Sequence, residues 1–152
     1  MEKENRFVVI GIGNPYRGDD AAGLCIAKQL MDKVPKGVSV LVNFGEISEL
    51  LDLMKNAEKV ILLDAVKSGS ETGKIFRFDA TEQKMPVDYF RFSTHAFSIP
   101  EAIELARALG QLPSRVIVYG VEGKGFEIGD PLSPEVESAV IEVVGQVISE
   151  LG

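Results

Sequence analysis

The chain has 152 residues, a length that accommodates a single domain spanning residues 1–152. Its composition, 45% hydrophobic and 26% charged, is that of a globular protein with a full core and excludes a disordered chain. A net charge of −7 without a Lys/Arg cluster argues against a nucleic-acid partner, and a single cysteine excludes a disulfide framework or a thiolate-rich zinc site.

The amino-terminal stretch MEKENRFVVIG carries charges of both signs before a short apolar run. This pattern indicates a strand and not a signal peptide. No apolar run approaches the roughly 18 to 20 residues needed to cross a bilayer. We therefore expect a cytoplasmic protein with no membrane partner.

Apolar runs with the period of strands alternate along the chain with runs that have the period of helices, which predicts an α/β domain. Three of the predicted strands are continuous aliphatic runs (FVVIG, KVILLDA and RVIVYG), typical of strands buried on both faces. The five predicted strands are Phe7 to Gly11, Val38 to Phe44, Lys59 to Ala65, Lys74 to Phe78 and Arg115 to Tyr119.

Four helices are predicted from apolar spacing and capping signals. The first has its apolar stripe at Leu24, Ala27, Leu30, Met31 and Val34, and the third opens with a capping box, Ser98 to Glu101. The predicted helices are Asp20 to Val34, Ile47 to Lys55, Ser98 to Gly110, and Ser133 to the C-terminus.

Only the turn-like SGSETG separates the third strand from the fourth, which is too short for a parallel crossover. The fourth strand is therefore predicted to be antiparallel. The expected fold is a three-layer α/β/α domain with a five-stranded mixed sheet.

Polar residues that could carry chemistry lie at the ends of two predicted strands and before one predicted helix. The acidic pair Asp19-Asp20 follows the first strand, Asp64 ends the third, and His95 precedes the third helix. Ligands of open α/β sheets bind beyond the carboxyl ends of the strands. Two carboxylates and one imidazole could there bind a transition metal and leave coordination positions open for a substrate.

Other interpretations of these residues remain open. Asp19 or Asp20 could cap the first helix, Asp64 could cap a loop, and His95, the only histidine, could be a hydrogen-bonded loop residue. A dinucleotide site is disfavoured because the G-x-G-x-x-G fingerprint would need glycine where Tyr16 stands, and because two aspartates occupy the expected phosphate position.

The segments GIGNPYRGDDAAG, LLDA and STH resemble the hydrogenase maturation endopeptidases, and so does the late stretch GDPLSPEVESAV. The resemblance extends from Phe7 to the C-terminal helix. It implies a five-stranded mixed sheet and an enzyme that removes a C-terminal peptide from the precursor large subunit of a nickel-iron hydrogenase after nickel insertion. It assigns Asp20, Asp64 and His95 as the catalytic residues that contact nickel.

In this family the nickel is thought to belong to the substrate, so the metal is a recognition signal; zinc and cadmium are further candidate occupants. The sequence departs from the family at Asn43-Phe44-Gly45-Glu46, where many members have a Gly-Gly pair, and around Phe126, where a common proline is missing. Phe92, Phe97 and Phe126 are candidate partner contacts, with core packing as the alternative.

Two other functions remain open at this stage. One is another metal-dependent hydrolase, such as an aminopeptidase or a nuclease, with its own bound ion. The other is a non-catalytic module that senses a nucleotide or a metal. The oligomeric state and the client hydrogenase are left open.

Overall fold

A computed structural model describes residues 7–90 and 98–152. Within them, five strands form one mixed sheet in the order β2-β1-β3-β5-β4, in which β4 alone is antiparallel to its neighbour. The predicted fold class, including the antiparallel fourth strand, is confirmed. The strands are β1 (Phe7–Ile12), β2 (Val38–Asn43), β3 (Lys59–Val66), β4 (Ile75–Asp79) and β5 (Arg115–Glu122).

Helices cover both faces of the sheet. One face packs against the first and last helices, and the other against the second and third. Two short 3-10 helices, Gly18–Ala21 and Val87–Phe90, complete the described structure. The α-helices are α1 (Ala22–Leu30), α2 (Ile47–Met54), α3 (Ile99–Ala108) and α4 (Pro134–Leu151).

The central strands are buried on both faces because their aliphatic side chains alternate between two apolar clusters. Val8 and Ile10 of β1 pack towards α2 and α3, whereas Val9 between them packs towards α1 and α4. This is why continuous aliphatic runs, and not alternating ones, marked these strands in the sequence.

The first predicted helix was wrong in its bounds. The chain first forms the 3-10 turn and enters α1 only at Ala22, and α1 ends at Leu30, four residues before Val34. Ala27 and Leu30 of the predicted stripe are buried, whereas Met31 is 52% exposed, and Ile26, which the prediction omitted, is buried with them. The 3-10 turn thus separates the acidic pair from the regular helix.

The order of the strands creates a switch point between β1 and β3. From β1 the chain continues through α1 to β2 on one side, and β3 pairs in parallel with the other side of β1. In open α/β sheets, the connections from the carboxyl ends of two such strands diverge, and ligands usually bind at this position. No helix of the described residues is long and apolar enough to span a membrane.

Candidate active site

Asp20 and Asp64 lie at this switch point, Asp20 on the side of β1 and Asp64 on the side of β3. Asp20 belongs to the 3-10 helix that follows β1, and Asp64 is the sixth residue of β3. The parallel register pairs Gly11 with Leu63, so both carboxylates stand at the carboxyl edge of the sheet. The structure therefore brings together two of the three residues that the sequence predicted.

Two glycines of the GIGNPYRGDDAAG segment bring the turn close to the sheet. A Cβ at Gly23 would lie 2.2 Å from the carbonyl oxygen of Leu63, and a Cβ at Gly11 would lie 2.4 Å from that of Gly23. Both are backbone contacts that cannot give way, so only glycine permits this approach. The start of α1 thus rests on β3 one residue before Asp64.

Asp20 is a buried carboxylate with 2% of its surface exposed. The Asn14 N–H donates to its Oδ2 at 3.1 Å. Burial raises the pKa of Asp20 to about 6, against the opposing effects of this hydrogen bond and of the Arg17 charge. Ionisation of Asp20 therefore costs more free energy here than it would in water.

Asp64 is 7% exposed and accepts a hydrogen bond from the Ala65 N–H at 2.8 Å. Burial raises its pKa well above the usual value, and the neighbouring charge of Asp20 raises it further, whereas the Ala65 N–H only partly opposes the shift. The two carboxylates are thus electrostatically coupled. A buried pair of like charges binds protons or a cation more readily than an isolated carboxylate does.

Asp19, the first acid of the pair, has a different role. It is fully buried, and its Oδ1 accepts from the Ser133 N–H at 2.7 Å, while Oδ2 accepts from the Ser133 hydroxyl at 2.7 Å and from the N–H groups of Lys124 and Gly125 at 2.9 and 3.2 Å. Burial raises its pKa, but these hydrogen bonds outweigh burial and leave the pKa below the usual value. Asp19 therefore ties the 3-10 turn to the β5–α4 connection, a contact remote in sequence that the helix-cap interpretation did not anticipate.

Glu122 at the end of β5 is a second buried anchor, and the sequence reasoning missed it. It is 2% exposed and accepts from the Ser68 N–H at 3.0 Å, the Ser68 hydroxyl at 2.6 Å and the Gly69 N–H at 3.3 Å. It thereby fixes the turn that follows β3. The available signal was an acidic residue directly after the aliphatic run of β5, the same signal that marked Asp64.

His95, the third predicted site residue, lies outside the described residues, as do Phe92 and Phe97. In the part of the chain that the structure describes, no three His, Cys, Asp or Glu side chains form a group able to hold a metal ion. Of the three predicted metal contacts, the structure thus describes the two carboxylates, Asp20 and Asp64. Their oxygen atoms fit a divalent cation, and the imidazole predicted from the sequence would add a nitrogen ligand typical of nickel or zinc.

Phe126, the third aromatic residue predicted to contact a partner, is half-buried and packs against the apolar cluster of α1 and α4. Its carbonyl oxygen accepts a hydrogen bond from Arg17 Nη1 at 3.1 Å. Core packing, the alternative to a partner contact, therefore accounts for the position of the Phe126 side chain.

Fold and site together define a three-layer α/β/α protein with an acidic centre at the switch point of its sheet. A family model described as HycI, hydrogenase maturation protease, matches residues 25–150, which include Asp64 but begin after Asp20. The chain belongs to this hydrogenase maturation protease family, and it is accordingly a peptidase of hydrogenase maturation.

Relatives resemble the chain over nearly its whole length. The hydrogenase expression/formation protein HupD of Bradyrhizobium diazoefficiens is 27% identical over 99% of this chain and 81% of its own length. The hydrogenase 2 maturation protease of Escherichia coli is 26% identical over 96% of this chain and 90% of its own. The solved structure of the E. coli hydrogenase maturating endopeptidase HybD matches with a TM-score of 0.80 at 26% identity, over 96% of this chain and 91% of that one.

Proposed function

We propose that this protein is an endopeptidase that removes the C-terminal extension from the large-subunit precursor of a nickel-iron hydrogenase after nickel insertion. Asp20, Asp64 and His95 are the proposed contacts to the nickel of that substrate. The observation that carries the proposal is the buried, coupled pair of Asp20 and Asp64 at the switch point. Membership of the hydrogenase maturation protease family supports the substrate class.

The physical argument begins with the cost of two buried carboxylates. Each has a raised pKa, because burial penalises its charged form. A divalent cation removes this penalty by neutralising both charges at once, and its oxygen ligands are then already in place. A precursor that brings a nickel ion would gain this interaction, whereas a precursor without metal would not.

This arrangement makes the metal a criterion of substrate maturity. The chain's own residues bind and orient the metallated substrate, and the anchors at Asp19 and Glu122 hold the two turns that carry or flank the binding residues. A divalent ion in this position supplies Lewis-acid chemistry, either polarisation of a carbonyl or activation of a water. His95 must be neutral to bind metal, so metal binding is expected to weaken when the histidine is protonated.

The test is a processing assay on the large-subunit precursor encoded with this protein, prepared with and without nickel under reducing, anaerobic conditions. We expect a mobility shift from cleavage of the nickel-loaded precursor only, lost in Asp20→Asn, Asp64→Asn and His95→Ala. Asp32→Asn, which changes an exposed aspartate, is the matched control and should process normally. Cleavage of the metal-free precursor at the same rate would disprove nickel recognition.

Calorimetric titration of the isolated protein separates this proposal from a hydrolase with a resident ion. If the metal belongs to the substrate, nickel and zinc bind the free enzyme weakly, and small peptides are not cleaved in their presence. Tight binding of either ion, together with cleavage of unrelated peptides, would favour the general metal-dependent hydrolase.

A further inference from the structure

Two cationic side chains stand at the carboxyl edge, on the same two strands that lead to the acidic centre. Arg17 lies in the turn between β1 and the 3-10 helix, three residues before Asp20. Lys67 directly follows β3, three residues after Asp64. Each strand thus contributes one buried carboxylate and one nearby cation.

Both cations reach the same residue, Phe126. Arg17 Nη1 donates to the Phe126 carbonyl oxygen at 3.1 Å, and Lys67 Nζ stands 5.8 Å from the centroid of the Phe126 ring. The two positive charges therefore flank one short segment of the β5–α4 connection.

Hydrogen bonds hold the backbone of each cation in position. The Arg17 N–H donates to the Asn14 carbonyl at 3.3 Å, and the Arg17 carbonyl accepts from the Asp20 N–H at 3.1 Å. The Lys67 N–H donates to the Tyr89 carbonyl at 2.9 Å. Because these backbones are fixed, less conformational entropy is lost when the side chains bind a ligand.

Neither cation forms a salt bridge with another of the described residues, which distinguishes them from several other cations of this acidic protein. Lys124, on the same edge, pairs with Glu135 at 3.7 Å, and Arg77 pairs with Glu150 at 2.6 Å. The hydrogen bond to Phe126 uses one Arg17 nitrogen and leaves further N–H donors of the planar guanidinium for a ligand.

We propose that Arg17 and Lys67 form a carboxylate-binding pair that positions the substrate's C-terminal extension across the acidic centre. The inference rests on the proposed function and adds a second chemical group, besides the metal, by which the enzyme recognises its substrate. An acidic extension that approaches Asp20 and Asp64 would otherwise be repelled, and the two cations reverse this repulsion. The ligand is a carboxylate, either an acidic side chain of the extension or its free C-terminus.

The test compares Arg17→Gln and Lys67→Gln with the wild type on the nickel-loaded precursor. We expect each variant to raise KM roughly 10-fold with little change in kcat, because a charge contact is lost from binding and not from the chemical step. Lys124→Gln, which removes an already paired cation from the same edge, is the control and should leave KM unchanged.

Modified precursors identify the carboxylate. One has the acidic side chains of its extension replaced by amides, and the other has a C-terminal amide made by ligation. The precursor that lacks the recognised carboxylate should raise the wild-type KM by the same factor, and the Arg17 and Lys67 variants should show no additional loss on it. Which of the two precursors is affected shows whether the recognised carboxylate belongs to a side chain or to the C-terminus.

Two results would overturn the proposal. One is an unchanged KM in both cation variants. The other is a fall in kcat alone that persists on both modified precursors, which would mean that Arg17 acts only on Asp20. In either case, cleavage of the nickel-loaded precursor by the wild type would leave the proposed function intact, whereas no cleavage by the wild type would refute that function itself.

Discussion

Two pairs of buried carboxylates at the same edge of the sheet differ in what compensates their burial. Asp19 and Glu122 accept several hydrogen bonds from backbone N–H groups and serine hydroxyls. Around Asp20 and Asp64, burial prevails over the donors nearby, and the pKa values of both carboxylates are raised. Burial is therefore common to the four, and the balance between burial and hydrogen bonding distinguishes an anchor from a candidate active-site group.

Asp19 and Asp20 show this difference between adjacent residues. Their pKa values are displaced in opposite directions, downwards for Asp19 and to about 6 for Asp20, although both side chains are almost completely inaccessible. In the 3-10 turn, consecutive side chains point to different neighbours. One turn thus supplies both a structural anchor, Asp19, and a carboxylate whose pKa is raised by burial, Asp20.

The largest effect that tests this comparison is the loss of activity in Asp64→Asn. We expect processing to fall at least about 1,000-fold, because a proposed contact to the substrate metal is lost. The free energy of unfolding should stay the same or increase, since the amide removes a desolvated carboxylate. Urea unfolding beside the processing assay would measure both, and a loss of stability with retained activity would place Asp64 among the anchors.

Asp19→Ala should have the largest effect on stability. We expect a loss of about 3 kcal/mol in the free energy of unfolding, because buried N–H groups of Lys124, Gly125 and Ser133 lose their acceptor. Urea denaturation at pH 7 measures this, with the exposed Asp32→Ala as a control that changes it by less than about 0.5 kcal/mol. Equal stabilities of the two variants would contradict the anchor role.

Glu122→Gln should lower the free energy of unfolding by less, about 1 to 2 kcal/mol, because the amide keeps one acceptor oxygen but loses the charge. A local readout accompanies the global one. The amide protons of Ser68 and Gly69 should exchange faster in the variant, since both donate to this carboxylate. Unchanged exchange at these two amides would show that the turn after β3 is held by other contacts.

The smallest expected effect on stability is that of Glu150, a carboxylate outside the acidic edge. Burial raises the pKa of Glu150, but hydrogen bonds from Arg77 and Tyr119 and the charges of Arg77 and Lys59 lower it to about 2. A depressed carboxylate stabilises the fold fully above its unfolded value of 4.5 and loses this contribution as the pH falls towards 2.

We expect Glu150→Gln to reduce by less than about 1 kcal/mol the part of the stability that is lost between pH 5 and pH 2, after allowance for solvent screening. Chemical denaturation across this range, compared with wild type, measures the difference. Parallel stability curves for the two proteins would contradict the role of this ion pair.

The sequence allowed much of the fold to be predicted because its signals are local. Apolar patterns placed the five strands within a few residues of their observed bounds, and the short SGSETG connection required an antiparallel fourth strand. The first helix was predicted too long, because apolar spacing continued to Val34 while the chain had already left the helix after Leu30. Spacing records which residues are apolar but not where the backbone turns.

The site was predicted in part for the same reason. Asp20 was recognisable from its position after β1, and Asp64 from its position near the carboxyl end of β3. Their role at the metal stays a proposal, as does that of His95. Glu122 was missed, because its partners Ser68 and Gly69 are more than fifty residues away in sequence. Such a contact has no local pattern.

The sequence by itself determined the fold class, the family motif and the candidate acidic residues, since apolar periodicity and glycine positions act over a few residues. The tertiary structure decided which acids are anchors held by hydrogen bonds and which have pKa values raised by burial. That distinction depends on backbone N–H groups brought from distant segments, such as Lys124 and Ser133 at Asp19. Hydrogen bonds and desolvation are properties of the assembled edge, and they give neighbouring identical residues different chemistry.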